Sequence, residues 1–157
     1  MENKIHFLGK PKDEHSLVLS AIAVDMNGKR DIFDPGKGMY RPTDDSDTLT
    51  YGHDTAAVQD GKKIDRVFLT HGHLDHIGNL CALARAGFFH DNTQIWGSPQ
   101  TNAIVRLTSF DDLRKRDCEF DIFDYIGVIS RLRNIPHPGE NIIDGDKICM
   151  DPNGHMG

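Results

Sequence analysis

The sequence predicts a single α/β domain, and three observations carry that prediction. Apolar runs that suit buried strands alternate with helical stripes between residues 62 and 113. The segment before them is rich in strand-forming residues and contains an Asn-Gly pair typical of hairpins. No internal repeat or low-complexity tract interrupts the chain, so one domain spanning residues 1–157 is the economical description.

The chain opens with β structure. Residues 4–9, "KIHFLG", predict a short strand. Residues 16–36 predict two strands joined at Asn27-Gly28, a pair that readily supplies the positive φ angles of a hairpin turn. From residue 37 to about residue 60 the sequence is polar and without clear periodicity, which indicates a long surface loop.

A strand-helix-strand-helix order follows. Residues 63–70 predict a buried strand, and residues 93–98 predict the next one. Between them residues 76–89 predict a helix, whose apolar stripe contains Ile77, Leu80, Cys81 and Ala84. A second helix is predicted after residue 98, because Ser98 is a good N-cap and Pro99 a good first helical residue.

The last quarter of the chain predicts more β structure. Residues 114–125, "RKRDCEFDIFDY", have the pattern of a charged turn that enters a strand, and residues 141–150, "NIIDGDKICM", that of a hairpin. The mixed charge runs at residues 111–119 and 131–137 are interpreted as solvated faces.

Composition favours a cytoplasmic globular protein. The formal net charge of −6 argues against binding nucleic acid through overall basicity, although a local groove or a metal can still bind phosphate. Cys81, Cys118 and Cys149 are widely spaced, so we expect reduced, buried thiols and no disulfide. No signal peptide is expected at the charged N-terminus, and no apolar run approaches the roughly 20 residues of a membrane span.

Four potential metal ligands lie within six residues of the stretch "LTHGHLDHIGNL". Alternate residues of an extended segment point the same way, so His71 and His73 can share one metal, while Asp75 and His76 can face a second position at the turn into the helix. Gly72 lets the backbone bend between the histidines. Imidazoles suit zinc, and a site that mixes imidazole with carboxylate also accepts manganese or iron.

Two other interpretations compete with a catalytic metal site in this cluster. Isolated histidines are usually surface groups or hydrogen-bonded core groups, but three of them beside a carboxylate on a strand-to-helix loop favour a metal site. A structural zinc usually has a closed shell rich in cysteine, and no cysteine lies within this loop. The sequence therefore favours a catalytic site with an open position for water.

The stretch "THGHLDH" resembles the T-H-x-H-x-D-H signature of the metallo-β-lactamase superfamily, and the resemblance includes the preceding strand "DRVFLT" and the following Gly78. It extends back to "DIFDPGKG", which is similar to the family's strand that ends in Asp-x-Gly. The resemblance implies that Asp34 lies behind the metal loop as an orienting carboxylate. The alternative is a simple turn residue before Pro35-Gly36.

The resemblance also implies a site with two divalent ions. His71 and His73 would bind the first, Asp75 and His76 the second, and His155, which follows a predicted strand, would complete the first. His137 is the rival for that last role. Asp75 would also act in catalysis by orienting water or accepting its proton. The metals would activate that water as the nucleophile, with zinc expected and manganese or iron as alternatives.

For the substrate, residues 69–88 followed by residues 94–107 are similar to the pattern in ribonuclease J and other β-CASP nucleases. The resemblance therefore implies a phosphodiesterase or ribonuclease that acts on RNA or another phosphodiester. A hydrolase of a carboxylic ester, thioester or lactam is the alternative within the same superfamily.

The family fold is a four-layer αββα sandwich, and this chain resembles its N-terminal half. We expect the domain to be truncated at its C-terminus, with the remaining ligands in a missing C-terminal half. A third possibility is an inactive metal-binding half-domain, and association with another copy of the chain is a further expectation.

Overall fold

A computed structural model describes residues 3–8, 21–36, 61–114, 120–136 and 138–150. In chain order, its elements are β1 (Lys4–Phe7), β2 (Ile22–Met26), β3 (Lys29–Phe33), β4 (Ile64–Phe68), α1 (Leu74–Ile77), α2 (Leu80–Arg85), β5 (Phe89–Gly97), α3 (Pro99–Leu113), α4 (Ile122–Ile129), β6 (Leu132–Asn134), β7 (Gly139–Ile143) and β8 (Asp146–Met150). Strands β1 to β6 form one sheet in sequence order, and β7 and β8 form a hairpin of their own.

The first three strands of the sheet are antiparallel. Strands β2 and β3 are joined at Asn27 and Gly28, whose φ angles are 52° and 82°. Positive φ at both central residues is the requirement of the two-residue turn that matches strand twist. The predicted hairpin is therefore confirmed, and so is the short strand β1 before it.

From β3 to β6 the strands run parallel. The register places Phe33 beside Phe68, and Phe68 beside Trp96, so these strands end nearly level with one another. Parallel strands direct their carboxyl ends to one edge of the sheet, and ligands of open α/β sheets bind beyond that edge. The residues that follow β3 and β4 are therefore neighbours although they are far apart in sequence.

One face of the sheet packs against the helices. Ile32, Val67 and Ile95 point to this face from three neighbouring strands and are at most 1% exposed. Leu80 from α2 and Val128 from α4 close the same apolar core. Burying such side chains contributes roughly 1.5–3 kcal/mol each, so this layer is the main source of stability in the described part of the chain.

The opposite face of the sheet is aromatic and carries the β7–β8 hairpin. Phe33 and Phe68 stack there with ring centroids 5.2 Å apart. Ile135 and Ile143 pack against Phe68, and Trp96 lies at the margin of this second cluster. Helices therefore cover one face and β structure the other, which confirms the predicted mixed α/β fold with a central sheet and agrees with one half of an αββα sandwich.

A buried arginine holds the hairpin onto the sheet. Arg66, on β4, donates to both carboxylate oxygens of Asp31 on β3 at 2.8 and 2.6 Å. Its Nη1 lies 2.7 Å from the carboxylate of Asp146 and donates to the carbonyl oxygen of Ile143 at 3.1 Å. The hydrogen bond from Arg66 lowers the pKa of Asp146 below its ordinary value. The guanidinium thus links the six-stranded sheet to the β7–β8 hairpin.

A second ion-pair cluster lies at the β2–β3 turn. Arg30 donates from Nε and Nη2 to the two carboxylate oxygens of Asp25 at 2.8 and 2.7 Å, and Lys62 donates to the same carboxylate at 3.2 Å. Arg30 is 1% exposed, so its charge depends on this partner. The hydrogen bond from Arg30 is the largest cause that lowers the pKa of Asp25 from 3.8 to about 2.

Asp25→Asn is expected to destabilise the protein by about 2 kcal/mol at neutral pH, because each unit of pKa shift corresponds to about 1.4 kcal/mol. A pKa lowered by folding stabilises the protein above the unfolded value of 3.8, and that contribution is lost as pH falls through about 2. Urea unfolding of both proteins from pH 7 to pH 2 tests this. The two unfolding free energies should converge between about pH 4 and pH 2, and a constant difference would contradict the assignment.

Helix α3 begins where the sequence predicts. Ser98 accepts a hydrogen bond from the backbone N–H of Thr101 at 3.0 Å, and Pro99 is the first helical residue. The helix has 15 residues. In the described part of the chain, no helix is long and apolar enough to cross a bilayer.

The strand predicted within residues 114–125 is wrong. Residues 122–129 form helix α4, and residues 115–119 lie outside the described residues. Asp121 accepts hydrogen bonds from the backbone N–H groups of Phe123 and Asp124, while the side chain of Asp124 accepts one from Asp121 N. This reciprocal capping box satisfies N–H groups at the start of the helix, so a helix forms although the aromatic and β-branched residues of the segment favour a strand.

Three smaller differences also have local causes. The charge run at residues 131–137 contains strand β6, because Leu132 and Ile135 are buried beside β5. The helix predicted at residues 76–89 is divided into α1 and α2 at Gly78 and Asn79. Cys81 is buried as expected, but Cys149 is exposed because it lies on the outer side of the hairpin. Cys118 and all of residues 37–60, where a loop is predicted, lie outside the described residues.

Candidate metal centre

The histidine-rich loop leaves the sheet at the carboxyl end of β4. Leu69 still donates a backbone hydrogen bond to Trp96 at 2.8 Å, so the sheet continues to that residue. His73 has extended backbone angles, φ −72° and ψ 149°, and occupies the N-cap position of α1. His71 and His73 therefore precede the helix, whereas Asp75 and His76 lie in its first turn.

The first pair of donor atoms consists of His71 Nε2 and His73 Nδ1, which lie 3.1 Å apart. Zinc–nitrogen distances of 2.0–2.1 Å in a tetrahedral site place two donors about 3.3 Å apart. The separation found here is therefore close to that of two ligands of one ion. The structure brings these two histidines together as their alternation in the sequence predicts.

The second pair consists of His76 Nε2 and Asp75 Oδ2, which are 3.6 Å apart. The ring of His76 lies beside that of His71, with centroids 3.9 Å apart. The two pairs are thus neighbours on one surface. An imidazole with a carboxylate is a donor set that zinc, manganese and iron all accept.

Asp34 lies behind the loop and joins it to β3. Its Oδ1 accepts a hydrogen bond from Thr70 N at 2.8 Å, and its Oδ2 accepts one from the Thr70 hydroxyl at 2.8 Å. The same Oδ2 is 3.0 Å from Nδ1 of His76. Asp34 is 7% exposed and has a φ of 48°, a conformation that Asp tolerates better than most residues.

Thr70 is a site residue to which sequence reasoning gave no separate role. Its hydroxyl oxygen lies 3.0 Å from His71 Nδ1, as well as 2.8 Å from Asp34 Oδ2. A carboxylate only accepts, so the hydroxyl donates to Asp34 and accepts from His71 Nδ1–H. This chain of bonds leaves the lone pair of His71 on Nε2, which is the donor atom of His71 in the first pair. The position of Thr70 directly after a buried strand was the sequence signal that could have identified it as a site residue.

Not every predicted ligand can be placed. His155 and its rival His137 lie outside the described residues, as do His15 and His53. Among the residues that the structure describes, no group of three or more His, Cys, Asp or Glu side chains is arranged to hold a metal ion. The donor atoms occur as two pairs, and each pair needs further ligands to complete a coordination shell.

The two described histidines outside the cluster, His6 and His90, have structural partners. His6 Nε2 lies 3.4 Å from a carboxylate oxygen of Asp25, and His90 Nε2 lies 3.3 Å from Asp65. Both are on strands of the sheet and not on the loop after β4.

Residues 20–91 match the family model described as metallo-beta-lactamase superfamily. Among the solved structures similar to this chain is one described as a new diphosphatase from the PhnP family, with 20% sequence identity and a TM-score of 0.47. That alignment covers 87% of this chain and 45% of the other, so the present chain spans about half the length of that protein. No curated protein matches the chain.

Proposed function

We propose that this chain is the metal-binding part of a hydrolase that uses a metal-activated water, because residues 20–91 match the family model described as metallo-beta-lactamase superfamily. The observation that carries the proposal is the meeting of two donor pairs at the carboxyl end of β4, with Asp34 behind them. The proposed unit is one domain over residues 1–157, the N-terminal half of an αββα sandwich.

The proposed first metal is held by His71 and His73, with His155 as its third ligand. The proposed second metal is held by Asp75 and His76. The donor set fits zinc, because the two imidazoles of the first pair suit this ion. Manganese or iron are alternatives, because the second pair combines an imidazole with a carboxylate and is less selective. When bound, such ions supply Lewis acidity and lower the pKa of water at the site toward neutrality.

The protein's own part in this chemistry is to hold donor atoms and protons in place. Asp34 accepts from Nδ1 of His76, which keeps the proton on that nitrogen and the lone pair on Nε2. The Thr70 hydroxyl oxygen accepts from Nδ1 of His71 and so keeps the lone pair of that ring on Nε2. The carboxylate of Asp75 is 41% exposed, so it can both bind metal and orient or deprotonate an incoming water.

The proposed substrate is a phosphodiester, with RNA as the specific candidate. Support comes from the similarity of residues 69–88 and 94–107 to the pattern of ribonuclease J and other β-CASP nucleases. A negative formal charge of −6 means that phosphate recognition would depend on the metals and local groups, and not on a basic surface.

The metal content of the purified chain and its hydrolysis of bis-p-nitrophenyl phosphate test the proposal together. Two equivalents of metal are expected, one at each proposed donor pair, with turnover that needs added zinc or manganese and stops with chelator. Turnover that chelator does not affect would contradict the metal mechanism. Hydrolysis of p-nitrophenyl acetate without that of the phosphodiester would instead favour the ester alternative, and bound metal without turnover the inactive half-domain.

A further inference from the structure

Helix α1 presents both proposed ligands of the second metal but has little stability of its own. It contains only four residues, Leu74–Ile77, and its N-cap residue makes no side-chain capping bond. Isolated helices of this length are far too short to persist in water. The orientation of Asp75 and His76 must therefore come from contacts outside the helix.

Three consecutive residues after β3 provide those contacts. Asp34 bonds to Thr70 and lies against His76, as described above. The carbonyl oxygen of Pro35 accepts a hydrogen bond from Asn79 N at 2.9 Å, and that of Gly36 accepts one from Asn79 Nδ2 at 2.5 Å. Asn79 is 1% exposed, so both bonds are shielded from water.

Gly36 packs flat against the peptide that joins Asp75 to His76. A Cβ at Gly36 would overlap the carbonyl carbon and oxygen of Asp75 and lie 2.8 Å from His76 N. These are backbone atoms, so no rotation of a side chain relieves the overlap. The carbonyl oxygen of Asp75 would lie 1.5 Å from that Cβ, so the peptide would have to retreat by nearly 2 Å to reach ordinary contact at 3.4 Å, whereas metal–ligand distances tolerate only about 0.2 Å.

The start of the same loop, at Gly72, packs against a side chain and not against backbone. The three atoms nearest to a Cβ at Gly72 would all belong to the side chain of Ile104, with the first at 2.6 Å. Ile104 is 37% exposed, so its outer carbons can turn aside, and its Cβ at 2.9 Å needs a shift of only half an ångström to reach ordinary contact at 3.4 Å. The first donor pair therefore has an adaptable neighbour, whereas the second pair rests on rigid backbone.

We infer that Gly36, anchored by Asn79, is a positioning residue that sets the place of Asp75 and His76 and so controls binding of the second metal. The inference rests on the proposed two-metal site. The Pro35-Gly36 segment would then determine how fully the second metal site is occupied, in addition to forming a turn. Its effect acts through the Asp75–His76 peptide, since neither Gly36 nor Asn79 supplies a ligand atom.

Calorimetric titration of the metal-free 157-residue chain with zinc chloride tests the inference. The wild type is expected to bind two equivalents. Gly36→Ala should retain one and weaken the other about 10- to 100-fold, the usual cost of disturbing groups that orient ligands. Asn79→Ala removes the side-chain bond to the carbonyl oxygen of Gly36 without creating an overlap, and it should weaken the same equivalent. A metal-free thermal melt establishes that each variant is folded.

Gly127→Ala is the matched control, because Gly127 lies within α4 and a Cβ there would have only Arg131 Nη1 nearby, at 3.9 Å. It should bind zinc as the wild type does. If Asn79→Ala and a folded Gly36→Ala also bind both equivalents normally, the inference is wrong while the proposed function stands. If the wild type itself binds no zinc, the proposed metal site fails and the inference fails with it.

Discussion

Alanine at both His71 and His73 is expected to remove the first metal and to reduce hydrolysis to that of the metal-free chain. The two side chains supply the paired nitrogens 3.1 Å apart, and no nearby side chain of the described loop can replace both. Loss of Lewis-acid stabilisation worth several kilocalories per mole corresponds to a decrease in rate of roughly a thousandfold or more. Elemental analysis and turnover of bis-p-nitrophenyl phosphate measure the two effects.

The matched control is the double variant His6→Ala, His90→Ala, which also removes two imidazoles but outside the loop. His6 and His90 bond to Asp25 and Asp65, so their loss is expected to leave metal content unchanged. Undiminished metal in the His71, His73 variant would show that these residues are not ligands. Equal loss in both variants would point to nonspecific binding by histidine.

Replacing Arg66 with alanine is expected to lower the free energy of unfolding by about 3–5 kcal/mol, the usual cost of breaking a buried ion pair from one side. The substitution leaves the carboxylate of Asp31, which is 5% exposed, without its bidentate partner. It also removes the bond that holds Asp146 and the β7–β8 hairpin against the sheet. Urea denaturation at neutral pH measures the change.

Lys147→Ala provides the comparison on the same hairpin. Lys147 pairs with Glu140, but both side chains are more than 60% exposed, so the expected cost is below about 1 kcal/mol. If Arg66→Ala were no more costly than Lys147→Ala, water would have to reach Asp31 in the folded protein. The contact between the two β layers would then depend on apolar packing alone.

Local sequence signals predicted the parts of the fold that local chemistry determines. Asn27-Gly28 adopts the turn its conformational freedom allows, and Ser98 caps α3 through its own hydroxyl. The alternation of His71 and His73 likewise needs only an extended backbone. Each of these features involves residues that are close neighbours in sequence, so the local sequence is enough to predict it.

Other features depend on partners that the pattern does not reveal. Residues 120–125 are rich in aromatic and β-branched residues that favour a strand, and the pairing of Asp121 with Asp124 identifies the helix. Gly36 could be predicted as a turn residue, but its contact with the Asp75–His76 peptide spans the gap between β3 and β4. Thr70 gains its role from Asp34, which is 36 residues earlier.

That separation has a consequence for how the site forms. Asp34 and Thr70 become neighbours only when β3 and β4 pair in parallel, which requires the intervening chain to close a long loop first. Such nonlocal pairing is slow compared with helix or hairpin formation. The binding-competent arrangement is therefore a late product of folding, and the rate at which a refolding chain takes up metal would report on the pairing of these two strands.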